Sequence, residues 1–182
     1  MAKLIAKTAT EELLPLTVGG LVLSDATPRR LTALSLWPGA DSAADKTLKA
    51  VGLGWPAPDR AVKGAKGLCL WSGRDQAFVT DMAVPASFAE HGAITDISDG
   101  WVALELSGPL AAAALARLVA IDLGPRAFPE GATARTGLGH MMALVHRSSA
   151  RSFTIHVFRS MAATAIHEIE GAMKALAARA AL

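Results

Sequence analysis

The sequence predicts an α+β fold made of two tandem units, and three observations carry that reading. One order of elements (strand, helix, loop, hairpin, helix) occurs twice. Two apolar strand candidates, residues 31–37 and 101–106, are each followed by a helix signal. Two hairpin candidates each end in a serine-bearing passage that leads into a helix, one through Val84-Pro85-Ala86-Ser87 and the other through Phe158-Arg159-Ser160-Met161. This is the order of a split βαβ, ferredoxin-like unit. The expected organisation is an N-terminal arm (1–25), a first α+β half (26–93) and a second α+β half (94–182), joined near 92–94.

In the arm, Pro15-Leu16-Thr17-Val18-Gly19-Gly20 reads as an extended piece ending in a glycine turn. The first strand is bounded by Pro28 and Pro38. Asp41 or Ser42 is expected to cap a helix with Ala44, Leu48 and Val51 on one face and Gly52 as its stop. A Pro/Gly-rich loop (54–67) follows. Residues 67–72 and 76–82 then pair around Gly73-Arg74-Asp75. Residues 85–91 read as a short helix.

The second half opens with Val102, Leu104 and Leu106 on one strand face. Ser107 is expected to cap a helix whose first residue is Pro109, where a missing N–H costs nothing. Leu110, Ala114, Leu118 and Ile121 share its face. After a loop holding Gly124, Pro125, Pro129 and Gly131, residues 132–138 read as a strand. Residues 140–147 and 152–158 pair as a hairpin. Ser160 is expected to open the last helix, on which Ile166, Ile169, Met173 and Leu176 form an apolar stripe.

The 182 residues can bury a core unaided. With 52% hydrophobic and 19% charged residues, the chain lies far from disordered composition. No stretch is long and apolar enough to span a membrane as a helix. Lys3, Lys7, Glu11 and Glu12 break any leader-like apolar core. The formal charge of +2 is near balance and Arg29-Arg30 is the only adjacent basic pair, so no clustered basic face for nucleic acid is expected. The one cysteine, Cys69, lies in an apolar run and reads as a buried, small apolar residue in a cytoplasmic protein. The apolar excess fits either an alanine-rich core or an interface.

No catalytic constellation emerges. Gly137-Leu138-Gly139 lacks the third glycine and the helix of a dinucleotide fingerprint, and a P-loop is absent. His140 and His146 fall on one strand face, with His156 across the hairpin. With no acidic or cysteine partner nearby at motif spacing, they read as solvent-facing strand positions rather than a metal site. His91 and His167 have no partner pattern. Asp96-Ile97-Ser98-Asp99-Gly100 pairs two carboxylates, as acid/base or cation chemistry would. It reads better as an Asx-type turn with Gly100 at positive φ. Arg135-Thr136 and Arg159-Ser160 sit near strand ends. There an arginine fork can hold an anion, a loop or a partner chain.

These segments carry a resemblance. Thr95-Asp96-Ile97-Ser98-Asp99-Gly100-Trp101 and Leu106-Ser107-Gly108-Pro109 resemble the gamma subunit of heterotetrameric sarcosine oxidase. So do Ile121-Asp122-Leu123, Phe128-Pro129, Ala134-Arg135-Thr136, Leu138-Gly139-His140 and Phe158-Arg159-Ser160. Together they cover about 95–170. In the first half, 53–60 is similar to the family's GL-x-x-P-x-x-x-R stretch. Residues 71–78 are similar to its WLGPDEWLL segment, with Arg74 for proline, Gln76 for glutamate and Ala77 for tryptophan.

The resemblance implies a fold similar to the folate-binding domains of aminomethyltransferase. It implies no catalytic, cofactor-binding or metal residues on this chain. Asp96, Ser98, Asp99, Gly100, Arg135, Thr136, Arg159 and Ser160 would be a structural or interfacial signature. FAD, FMN and NAD would sit on the larger partner subunits, where sarcosine is oxidatively demethylated, and the released one-carbon unit would pass to tetrahydrofolate on the alpha subunit. N-methylglutamate dehydrogenases use a similar small subunit. The competing readings are a free-standing folate-binding or aminomethyl-transfer protein of the same fold, and a small ligand-binding module.

Overall fold

The computed structural model describes residues 7–181, so residues 1–6 of the expected arm and Leu182 lie outside it. The chain enters through β1 (Leu16–Val18) and β2 (Leu21–Asp25), a hairpin turning at Gly19-Gly20. The first unit contains β3 (Leu31–Leu36), α1 (Asp41–Lys49), β4 (Ala61–Lys63), β5 (Leu68–Gly73), β6 (Gln76–Thr80), a 3-10 turn at Ala86–Glu90 and β7 (Gly92–Asp96). A second 3-10 turn, Ser98–Gly100, leads into β8 (Trp101–Ser107) and α2 (Ala111–Leu115). Next come β9 (Thr133–Leu138), β10 (Met141–Ser149), β11 (Ser152–Phe158), a 3-10 turn at Arg159–Met161 and α3 (Ala162–Ala180).

The strands form two sheets, β4-β5-β6-β3-β7 and β1-β2-β8-β11-β10-β9, antiparallel throughout. In the first, the order β7-β3-β6-β5 is that of a split βαβ unit. In the second, β8, β10 and β11 take the places of β3, β5 and β6. The place of β7, beside the unit's first strand, is filled by β2 from the arm. The N-terminal segment is thus the fourth strand of the second unit. Leu21 and Leu23 are buried in that unit's core, and Gly108 closes the fit: a Cβ there would meet the Gly20 carbonyl at 2.6 Å.

The expected joint at 92–94 is corrected by the same topology. Residues 92–96 pair with β3 and end the first unit, and the chain crosses between units at 97–100. β7 escapes a sequence reading because Gly92-Ala93-Ile94-Thr95-Asp96 has little apolar alternation. β4, inside the expected loop, is similarly short.

Alternation within the strands sends side chains to two faces. On the outer face of the first sheet, Leu34, Leu36, Cys69, Ala77 and Val79 pack against Ala44 and Leu48 of α1 and against Phe88. The second sheet sends Val102, Leu104, Leu106, Ala143, Val145, Phe153, Ile155 and Val157 outward against α2 and α3. On α3 the stripe is Ile166, Ile169 and Met173, as the spacing requires, with Leu176 half-buried at its end. Cys69 is free and buried, and burial pushes its thiol up to about 12.

The inner faces meet each other. Leu31, Leu70 and Phe78 pack on Trp101 and Leu144. At the edges, the Ala61 N–H donates to the Gly131 carbonyl (2.8 Å) and the Thr133 N–H to the Asp59 carbonyl (2.9 Å). The result is four layers: helix, sheet, sheet, helix.

The expected helix caps are corrected. Neither Asp41 nor Ser42 caps α1, whose N-cap is Ala40. Ser107 belongs to β8, and Ser160 lies within the 3-10 turn before α3. None of the three α-helices has a side-chain cap. α2 is also shorter than the spacing to Ile121 implied. Beyond it the Leu118 carbonyl accepts from the Gly139 N–H (2.9 Å), a strand-turn partner rather than a further helical turn. The two 3-10 turns after the hairpins correspond closely. Their N-caps, Pro85 (φ −58, ψ 138) and Phe158 (φ −59, ψ 140), share one backbone conformation, and Ser87 and Ser160 each sit at the second position.

Candidate functional site

Six of the eight signature residues come together on one surface. Asp96 ends β7 and its Oδ1 accepts from the Ser98 N–H (3.0 Å) and the Ser98 hydroxyl (2.6 Å). These two hydrogen bonds hold the Asp96 carboxyl below the usual carboxylate range. The Ser98 Oγ in turn accepts from the Leu31 N–H (2.9 Å), and the Ile97 N–H donates to the Leu31 carbonyl (2.9 Å). The crossing between units is thereby fastened to the start of β3. This is the Asx-type turn expected from the sequence, with one correction. Gly100 does not take positive φ; it closes a 3-10 turn through its N–H to the Ile97 carbonyl (3.0 Å), which any residue can do.

Asp96, Ser98, Asp99 and Gly100 line one side of a surface groove of about 490 Å³ with Trp101 and Phe158. An adjoining groove of about 610 Å³ is lined by Lys7, Gly100, Phe158, Arg159 and Ser160. Phe158, 41% exposed, lines both. Its ring lies 4.4 Å from that of Trp101, which meets Phe78 edge-on at 5.1 Å. An aromatic column therefore runs from the inter-sheet core to the surface. The Arg159 guanidinium donates to the Lys7 carbonyl, tying the incoming arm to the last helix. Arg135 and Thr136 lie elsewhere, on the far edge strand β9. Arg135 donates across the layers to the Ser72 carbonyl (3.4 Å).

The histidine expectation is corrected. His146 and His156 are buried, 5% and 2% exposed, while His140 is exposed in the β9–β10 turn. His140 lies outside β10 and shares no strand face with His146, but 144, 146, 154 and 156 do share one. That face is covered by the first sheet rather than by water. Burial pushes both imidazoles down to about 4. For His156 the neighbouring His146 adds to the effect, and a hydrogen bond with the Leu144 backbone opposes it.

Four buried side-chain atoms have no partner among the described residues: Ser72 Oγ, His146 Nδ1, Ser148 Oγ and His156 Nδ1. His146 and His156 sit on the inner face of β10 and β11, and Ser72 and Ser148 sit at the register breaks of β5 and β10. His146 and Ser148 line an inter-sheet cleft of about 590 Å³ whose rim carries Lys63, Lys66 and Glu130.

Sequence reasoning also missed Arg147. It is 6% exposed, donates to the carbonyls of Leu123 (3.0 Å), Phe128 (2.9 Å), Ser149 (3.3 Å) and Ala150 (2.8 Å), and lies 5.1 Å over the Phe153 ring. It organises the loop between α2 and β9 and has no carboxylate partner among the described residues. A lone arginine among apolar strand residues was the available signal.

These layers, with ferredoxin-like units back to back and helices outside, define an α+β fold of the aminomethyltransferase type. No protein-family model and no curated protein matches the sequence. Among solved structures, the chain is similar to a chain of the heterotetrameric sarcosine oxidase from Corynebacterium sp. U-96, solved in complex with pyrrole 2-carboxylate. The TM-score is 0.80 and the identity 22%, over 94% of this chain and 96% of that one. It is also similar to the glycine cleavage system aminomethyltransferase T from Bartonella henselae, with TM-score 0.57 and 16% identity over 85% of this chain. There it spans 46% of the other protein's length. At these identities the likeness establishes the fold.

Proposed function

We propose that this chain is the non-catalytic small (gamma) subunit of a heterotetrameric sarcosine oxidase, a complex that demethylates sarcosine oxidatively and passes the one-carbon unit to tetrahydrofolate. The observation that carries the reading is the near end-to-end correspondence with one chain of such an oxidase, against partial coverage of the aminomethyltransferase. The grouped signature supports it. Asp96, Ser98 and Arg159 hydrogen-bond one another or the backbone of this chain, which suits a folded scaffold better than a reacting centre. In this reading FAD, FMN, NAD and tetrahydrofolate are held by the alpha subunit and the other partners. The groove around Phe158 faces the alpha subunit, and the setting is cytoplasmic.

The test is reconstitution. The purified chain should show no flavin absorbance, no tetrahydrofolate binding and no oxygen consumption with sarcosine. Co-expressed with the subunits encoded beside it, it should co-elute with the flavoproteins at fixed stoichiometry in a sarcosine-oxidising complex. Turnover of N-methylglutamate instead would assign the equivalent dehydrogenase subunit. Stoichiometric flavin on the isolated chain, or tight tetrahydrofolate binding by it, would overturn the proposal, the latter in favour of a free-standing folate protein.

A further inference from the structure

The cleft between the two sheets has a chemistry that neither the fold nor the proposed function requires. Among apolar lining residues such as Ala61 and Leu68, it holds the polar side chains of His146 and Ser148, where a sheet-on-sheet contact is ordinarily apolar. Buried polar atoms are satisfied in the great majority of cases, so unpartnered ones call for an explanation. Here His146 Nδ1 and Ser148 Oγ are buried without partners and line one cleft. The cleft's volume, about 590 Å³, falls within the range of small-molecule pockets.

The rim is divided by charge. Lys63 ends β4 on the first sheet and Lys66 follows it in the β4–β5 connection. Glu130 comes from the loop before β9 on the second, the side that also carries His146 and Ser148. None of Lys63, Lys66 and Glu130 forms an ion pair among the described residues. Asp81, also on the rim, has its carboxylate engaged by the Arg29 N–H (2.8 Å). Two ammonium groups suit a carboxylate. A carboxylate, a neutral imidazole nitrogen and a hydroxyl oxygen together suit an ammonium, which has donors and no acceptor. Burial keeps the His146 imidazole neutral at pH 7 and so free to accept.

We propose that this inter-sheet cleft binds a small zwitterion of α-amino-acid type, its carboxylate toward Lys63 and Lys66 and its ammonium toward Glu130, His146 and Ser148. The proposal is independent of the subunit reading, because the residues belong to this chain alone and lie apart from the groove around Phe158.

The test uses the full chain labelled at histidine and followed by NMR. Glycine, glutamate and phenylalanine are titrated as zwitterions of three sizes, with acetate and methylamine as the two half-ligands. At least one amino acid should shift the His146 ring signals saturably at about millimolar concentration, and neither half-ligand should do so at tenfold higher concentration. Lys63→Ala and Glu130→Gln, both at exposed rim positions, should each weaken binding about tenfold while leaving thermal unfolding unchanged. No saturable shift with any of the three amino acids up to about 50 mM would overturn the proposal. So would half-ligands that bind as tightly as the zwitterion, or affinity unaffected by both rim substitutions.

Discussion

The two units solve the same topological problem differently. In the first, the strand beside β3 is β7, which arrives in sequence order after the hairpin and a short 3-10 turn. In the second, the hairpin leads into the 19-residue helix α3, and the strand beside β8 is supplied by β2, from the other end of the chain. The first unit's closing strand is marginal: Ile94 is exposed, and four of its five residues are partly or fully exposed. The second unit's closing strand buries Leu21 and Leu23 completely and is itself covered by β1. A local strand can be weak because neighbouring sequence holds it in place. A strand recruited from about 80 residues away must offset the loop-closure entropy with its own burial.

The largest expected effect follows from that contrast. Leu23→Ala should destabilise the protein by about 4 kcal/mol in urea unfolding, whereas Ile94→Ala, at the equivalent strand of the first unit, should cost under about 1 kcal/mol. Equal costs would mean the two closing strands do not differ as described. Arg147→Met should cost about 3 kcal/mol, because it leaves the Leu123 and Phe128 carbonyls buried without a donor. The first unit has no comparable buried arginine among its described residues, so the loss should be read as loosening of 123–131 by amide exchange.

Acid should act on the contact between the units. Because His146 and His156 titrate near 4 when folded and near 6.5 when unfolded, the unfolded chain binds more protons between those limits. Stability should therefore be undiminished by these groups above pH 6.5 and fall as pH drops toward 4, by at most about 2.7 kcal/mol per pH unit for two protons. A urea series across that range checks the slope. His146→Gln together with His156→Gln should flatten it. The smallest effect concerns the arm. Burial raises the Asp25 carboxyl, but hydrogen bonds from the Thr10 hydroxyl and from the Thr27 hydroxyl and N–H outweigh it, so the group titrates below its ordinary value. Asp25→Asn should cost about 1 kcal/mol, visible as faster amide exchange in 8–25 with the first unit unaffected.

What the sequence made legible followed from periodicity. Alternation located β3, β5, β6, β8, β10 and β11, and the spacing Ile166, Ile169, Met173 located the buried face of α3. The duplication was legible in the passages at Ser87 and Ser160, whose 3-10 turns correspond. β7 and β4 were not, because short strands at sheet edges carry little pattern. That the arm completes the second unit could not be read locally, since pairing between β2 and β8 is a property of the whole chain. His146 and His156 do share a strand face, while His140 falls in the turn before β10; which layer covers that face depends on tertiary packing, so a buried pair was read as exposed. In the signature, the Asx turn at Asp96 was legible because its bonds are local. The meeting of Gly100 with Arg159 was not, because it depends on two distant 3-10 turns coming together.

The central claim is that this chain contributes assembly rather than chemistry, and Arg159 tests it most directly. Its guanidinium fastens the arm beside the groove that, in the proposed reading, faces the alpha subunit. The measurement is the yield of reconstituted oxidase complex together with its turnover per bound flavin, for the natural chain and for Arg159→Ala. The account predicts a lower yield of complex and turnover per bound flavin within about twofold of the natural assembly. Full assembly with turnover reduced about 100-fold, equivalent to about 2.7 kcal/mol of lost transition-state stabilisation, would place the arginine in the chemistry and contradict it.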